Sequence, residues 1–134
     1  MPAYLLDTNH LIALLNRVPA AIVRQRGLER AGAEVCSTTV SLGELYFGAY
    51  NSRHRPRNLR RLSRLRRQMV FLPFDIPAAI EFGRIRKETQ DRGAPIPIAD
   101  AMIAAIARPR RLRVVSHDEH FRWVPGLELE DWLA

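Results

Sequence analysis

The chain has one cysteine, one lysine and no long apolar run in its 134 residues. Each scarcity excludes something. A lone Cys36 cannot close an internal disulfide or build a thiolate zinc cluster. A stretch of about 18 or more apolar residues, the length a membrane span needs, is missing. The first residues carry no basic leader, and Asp7 interrupts their apolar run, so no secretory signal is expected. A cytoplasmic location is the resulting expectation. Hydrophobic residues make up 47% of the chain, enough for a core, which excludes a disordered class. The length suits one domain, and no repeat, linker or low-complexity segment divides it, so residues 1–134 are expected to form a single domain.

Charge is one-sided. Lysine and arginine number 21 against 14 acids, a net charge of +7. Lys87 is the one lysine; every other cationic side chain is arginine, and eight arginines fall between Arg53 and Arg67. Guanidinium forks match phosphate oxygens and stack on bases. A GC-rich coding sequence would also favour arginine over lysine, so the ratio alone assigns no partner. The net charge does: it raises the local concentration of polyanions. Arg60, Arg61 and Arg64 are the candidate RNA contacts. The competing reading of this run is the solvated face of an amphipathic helix that packs Leu59, Leu62 and Leu65 inward.

Apolar runs alternate with helical spacing from end to end. Ala3–Leu6, Glu34–Thr39, Val70–Phe74, Leu112–Ser116 and Leu127–Glu130 are predicted strands. Helices are predicted over His10–Asn16, from Pro19 to a stop at Gly32, over Ser41–Tyr50, from Arg57 onward, from Pro77 to near Gly93, and from after Pro97 to about Ala107. This alternation predicts an α/β fold: a mainly parallel central sheet of about five strands, with helices on both faces. Ligands of such sheets sit beyond the carboxyl ends of the strands.

Four acids lie near a predicted strand end or helix start: Asp7, Glu44, Asp100 and Asp118; of these, Asp7 and Asp118 follow strands and point to that edge. Each also has a purely structural reading. Asp7 suits a helix N-cap. Glu44 lies in Ser41-Leu42-Gly43-Glu44 and Glu119 in Ser116-His117-Asp118-Glu119, both capping-box patterns. Asp100 falls in the first turn of a helix, where negative charge suits the dipole. Separate structural roles do not explain why all four fit one site. Converging carboxylates in a basic chain suit a divalent cation held against a phosphate.

Four segments carry a resemblance. Tyr4-Leu5-Leu6-Asp7-Thr8-Asn9 is the first. Ser37 to Ala49, with Glu44-Leu45 and Phe47-Gly48-Ala49, is the second. Pro97-Ile98-Ala99-Asp100-Ala101-Met102-Ile103-Ala104-Ala105 is the third. Val114-Val115-Ser116-His117-Asp118, with Phe121 and Val124-Pro125-Gly126-Leu127, closes the set. In this order and spacing the chain resembles PIN-domain ribonucleases, and within them the VapC toxins of bacterial toxin–antitoxin pairs. The resemblance implies a PIN-like three-layer α/β/α sandwich. It implies that Asp7, Glu44, Asp100 and Asp118 are the catalytic acids and ligands of Mg²⁺, or of Mn²⁺. Glu119 is the alternative to Asp118 at the fourth position. Thr8 and Ser116 match positions that carry supporting hydroxyls, and Asn9 would pin the loop. His117 and His120 flank the last acid and read as ordinary loop residues.

The family resemblance further implies hydrolysis of RNA phosphodiester bonds to 3′-hydroxyl and 5′-phosphate ends. It implies a VapB-type antitoxin as partner and a homodimer as the assembly. Tyr46, Phe47, Tyr50, Leu59 and Leu62 would line an apolar groove for the antitoxin. Two other readings stand beside this one: a non-catalytic RNA-binding module, which would leave the four acids unused, and a housekeeping RNA-processing PIN nuclease. A haloacid-dehalogenase phosphatase would need an acid where Asn9 stands, and a response-regulator receiver would need paired acids after its first strand.

Overall fold

A computed structural model of the protein describes residues 3–133. Five strands form one sheet in the order β3-β2-β1-β4-β5. They are β1 (Ala3–Leu6), β2 (Glu34–Thr38), β3 (Val70–Leu72), β4 (Arg113–Val115) and β5 (Leu129–Glu130). Every pairing is parallel. The α-helices are α1 (Thr8–Leu15), α2 (Pro19–Arg30), α3 (Thr39–Tyr50), α4 (Arg55–Gln68), α5 (Ile76–Asp91) and α6 (Ile98–Ala107). Short 3-10 turns follow α6 at Arg108–Arg110 and β4 at Glu119–Trp123. No helix among the described residues is long and apolar enough to cross a membrane.

Period-two alternation in the central strands divides the core into two layers. Tyr4 and Leu6 of β1 and Val115 of β4 join one apolar cluster, with Leu11 and Leu14 of α1, Leu45 of α3 and Leu62 and Leu65 of α4. Leu5, Cys36 and Val114 point the other way, into a second cluster with Ile85 of α5 and Ile103 and Ile106 of α6. Register enforces the split: Leu5 pairs with Cys36 on one side and Val114 on the other. The three-layer α/β/α architecture follows.

The element boundaries differ from the expected ones where a cap or a proline decides. Thr38, not Ser41, caps α3 by accepting from Ser41 N at 3.1 Å, so the helix starts two residues early. Ser41-Leu42-Gly43-Glu44 is therefore helix interior and not a capping box. Asp75 caps α5 by accepting from Ala78 N at 3.1 Å, and places Pro77 in the first turn. α4 starts at Arg55, ahead of the expected Arg57, with Pro56 in its first turn. Pro73 has no N–H for the sheet, and β3 stops at Leu72. Gly32 and Gly93 take positive φ just past the ends of α2 and α5, each closing paired backbone bonds onto the last helical turn.

Arg108 locks the second layer from the inside. It binds Glu88 through two hydrogen bonds of 2.7 and 3.1 Å, Glu81 at 2.9 Å and the Pro125 carbonyl at 3.1 Å. One guanidinium thus joins the end of α6 to α5 and to the Pro125-Gly126 turn. Arg108→Met would leave the mostly buried Glu81 with the longer 3.8 Å contact to Arg84 alone, while Glu88 keeps access to water. The expected loss is about 1–3 kcal/mol of folding stability, read as a lower urea midpoint with an unchanged slope.

Candidate functional site

β1 and β4 are neighbours, so their carboxyl ends open onto the same edge. Asp7 is the first residue past β1. Its N–H donates to the Val115 carbonyl at 3.1 Å, and its side chain caps α1 by accepting from His10 N at 3.0 Å. This buried carboxylate is held from several sides. Oδ1 also faces Nδ1 of His10 at 3.0 Å, and Oδ2 accepts from the Ser116 hydroxyl at 2.6 Å. The structural and functional readings of Asp7 are therefore not exclusive.

Ser116 connects two acids. Its oxygen accepts from Asp118 N at 2.9 Å while its proton goes to Asp7. Asp118 caps the turn Glu119–Trp123 by accepting from His120 N at 2.9 Å. Asp100 reaches the same place from the first turn of α6. Ligand atoms of Asp100, Asp118 and His120 lie within 4.8 Å of one another. Glu119 is exposed and outside this group.

The electrostatics match the geometry. Burial first, then the charge of Asp118 and its hydrogen bond, push the Asp100 carboxyl up from 3.8 to about 6. Asp7 adds to the rise and His120 opposes it. Nδ1 of His120 lies 2.7 Å from Asp118 and 3.5 Å from Asp100. That nitrogen has no hydrogen-bond partner by angle, so its contact with the acids is electrostatic. The ring packs edge-on against Trp123 at 5.3 Å.

Glu44 stands apart from this trio. It is exposed on α3 and accepts from the Thr8 hydroxyl at 2.8 Å. Thr8 follows Asp7 directly, so the hydroxyl ties the fourth acid to the first. Asn9 is exposed in the first turn of α1. Thr8 and Glu44 form one end of a groove of about 210 Å³ between α1, α3 and α4. Its apolar wall is Ile12, Leu15, Leu45, Ala49 and Leu62, and Asn58 and Arg61 also line it. Of the five residues expected there, Leu62 alone lines it. Tyr46 and Leu59 pack against the core, while Phe47 is 73% and Tyr50 55% exposed. Helical periodicity explains the change: Leu45 and Ala49, four apart, share the inward stripe of α3.

Arg61 donates to the Leu15 carbonyl and, at 3.5 Å, to Asn16, which ties α4 to the end of α1. Arg60 and Arg64 are exposed on the same helix. Cys36 is buried, and burial, helped by Glu34, pushes its thiol up to about 11, which removes it as a nucleophile.

Sequence reasoning missed three participants. His10 lies behind Asp7, Asp131 binds His117 at 2.5 Å, and the Trp132 N–H donates to Nε2 of His10 at 3.2 Å. His120 was read as a loop residue, yet lies among the acids. The spacing Asp118-Glu119-His120 within a tight turn was the available signal.

The donor set fits a hard divalent cation. Two carboxylates converge, one of them raised to about 6 by burial and then by its neighbour, and an imidazole stands in reach. In metal-free protein the Asp100 pKa lies above its unfolded value, so ionising Asp100 destabilises the fold. That cost is absent below about pH 4, grows through the window from 3.8 to about 6, and is full above it. Asp100→Asn should therefore melt higher than the parent at pH 7.5 in EDTA, and the difference should vanish near pH 4. A constant difference across pH would contradict the repulsion.

Known proteins resemble this chain over nearly its whole length. The PIN domain family model matches residues 4–127. The chain is 35% identical over 133 residues to a tRNA(fMet)-specific endonuclease VapC of Shigella flexneri, covering 98% of this chain and 99% of that one. It is 33% identical to Ribonuclease VapC2 of Haemophilus influenzae over 134 residues, covering 99% and 100%. The crystal structure of DNA-bound VapBC from Salmonella typhimurium superposes with a TM-score of 0.88 at 34% identity, covering 98% of this chain and 99% of that chain.

Proposed function

The chain belongs to the PIN-domain family and, within it, to the VapC ribonucleases, and we propose that it is the metal-dependent endoribonuclease toxin of a VapBC-type toxin–antitoxin pair. The observation that carries this reading is the acidic edge: Asp7, Ser116 and Asp118 linked in series, with Asp100 brought up to Asp118 and its pKa raised to about 6. A binding module has no use for such mutual repulsion. An enzyme that holds Mg²⁺ or Mn²⁺ does.

Asp100 and Asp118 are the first ligands, with Asp7 beside them and Glu44 at the groove end. When bound, the cation would polarise the scissile phosphoryl group and ease deprotonation of an attacking water. The protein's own part is positioning. His10 and Ser116 fix the Asp7 carboxylate, Ser116 fixes the Asp118 backbone, and Thr8 fixes Glu44. His120 offers an imidazole beside the two carboxylates, whose oxygens suit Mg²⁺ or Mn²⁺. Arg60 and Arg64 attract the RNA backbone, whereas Arg61 serves mainly to anchor α4.

The groove between α1, α3 and α4 is the seat for the antitoxin. It is apolar along Ile12, Leu15, Leu45 and Leu62 and ends at Thr8 and Glu44, so an amphipathic segment laid in it reaches the acids. The VapC relative named for tRNA(fMet) makes that RNA the first substrate to test.

Antitoxin-free protein incubated with total bacterial RNA and Mg²⁺ or Mn²⁺ should give discrete cuts bearing 5′-phosphates. Asp7→Asn and Asp100→Asn should each lower cleavage by on the order of a hundredfold or more, and EDTA should abolish it. Folded protein that binds RNA without cutting it under either metal would support the binding module instead. Ends carrying 2′,3′-cyclic phosphate would contradict a hydrolytic mechanism.

The arginine contacts have their own readout. In an Asp7→Asn background, Arg60→Ala/Arg64→Ala should flatten the salt dependence of RNA binding by about 0.7 per lost phosphate contact. An unchanged slope would leave these residues as solvated helix surface.

A further inference from the structure

A fully buried imidazole lies directly behind Asp7. His10 is 0% exposed, packed in the helix-rich layer edge-on to Trp132 at 6.2 Å. Both ring nitrogens are engaged. Nε2 accepts the Trp132 N–H at 3.2 Å and borders Asp131 Oδ1 at 3.4 Å. Nδ1 faces Asp7 Oδ1 at 3.0 Å.

The backbone amide decides which nitrogen carries the proton. Trp132 N–H can only donate, so Nε2 must present its lone pair. The neutral ring then keeps its proton on Nδ1, aimed at Asp7. Ser116 donates to the other oxygen at 2.6 Å, so the two contacts fix the plane of the carboxylate. Oδ1 accepts from the His10 amide and faces the ring, whereas Oδ2 carries one donor and keeps a lone pair for a ligand on the outward side. An aliphatic side chain would fill the same space without the cost of burying a polar ring.

We infer that His10 is a positioning residue: its Nδ1–H holds the Asp7 carboxylate for the cation, and the Trp132 amide, 122 residues away, selects the tautomer that makes this possible. The chain Trp132–His10–Asp7 is a carboxylate support built from the two ends of the described fold, as second-layer hydrogen bonds elsewhere orient metal ligands. The inference rests on Asp7 being one of the metal-binding acids.

Two substitutions separate the two nitrogens. The amide of asparagine sits at the reach of Nδ1, and that of glutamine at the reach of Nε2. His10→Asn can keep the contact to Asp7 and lose the one to Trp132; His10→Gln does the reverse. Both should lower Tm. Titration calorimetry with Mn²⁺ on the metal-free, full-length protein should show His10→Gln weakening affinity by about 10- to 100-fold, with His10→Asn recovering most of that loss. Equal affinities in parent and both variants, with Asp7→Asn weak, would reduce His10 to a packing residue and overturn the inference. Equal losses in the two variants would overturn the assignment of roles to the two nitrogens. Unchanged affinity in Asp7→Asn would overturn the placement of Asp7 in the site, and this inference with it. The parent protein offers an independent check if His10→Gln does not fold. Nitrogen-15 NMR of His10 should show the Nδ1–H tautomer, and an Nε2–H tautomer overturns the proposal.

Discussion

A carboxylate placed at the end of a buried central strand constrains everything around it. Asp7 sits where β1 leaves the sheet, flanked by β2 and β4, and is shielded from water on its inner side. A buried charge there is tolerable only with donors on its oxygens. The chain supplies three: the His10 amide, the His10 ring and the Ser116 hydroxyl. Each donor brings its own element with it. The amide starts α1, the ring ties down the segment at Asp131 and Trp132, and the hydroxyl fixes the turn that delivers Asp118. The functional edge is thus largely a consequence of stabilising one charge.

Asp100 and Asp118 add charge without adding such donors between them. Burial first, and then the charge of Asp118, hold the Asp100 carboxyl near 6 in a chain whose net charge is +7. No arginine is among the groups that act on Asp100, and several are engaged elsewhere. Arg108 holds α5 to α6, Arg61 holds α4 to α1, and Arg110 pairs with Asp75. The protein therefore keeps a negative centre inside a positive exterior. A polyanion is drawn to the exterior, and a divalent cation is the natural counter-charge at the centre.

The elements that were legible in the sequence are those governed by local pattern. The strand Ala3–Leu6 and the helices after Pro19 and Pro97 are fixed by burial period and by proline within a few residues of one another. The carboxyl-edge rule then located Asp7 and Asp118, and four short motifs brought in Glu44 and Asp100. Boundaries failed where two side chains compete for the same cap, as Thr38 and Ser41 do. The lining of the groove between α1, α3 and α4 was not legible, because periodicity gives a helix stripe but not which neighbour faces it, and Phe47 and Tyr50 stand exposed outside it. His10 and Trp132 were invisible for a stronger reason. A histidine on an apolar helix face has the same local signature whether or not a distant amide binds it, and only the parallel sheet brings the two together.

The same edge explains why one surface can serve both catalysis and its restraint. Thr8 is shared: its backbone follows Asp7 at the strand end, and its hydroxyl reaches across to Glu44 on α3. These two residues are also the mouth of the apolar groove that continues to Leu62 and Arg61. The groove therefore reaches one of the four acids, Glu44, which Thr8 ties to the strand end at Asp7. A helix buried along Ile12, Leu15 and Leu45 gains its affinity from apolar area, and its end arrives at Glu44. On the proposed reading, a cation at that end would compete with the metal for Glu44, and bulk there would exclude RNA. Inhibition on that reading needs no conformational change in the sheet, because an antitoxin in the groove and a cation at the acids would meet at Thr8 and Glu44.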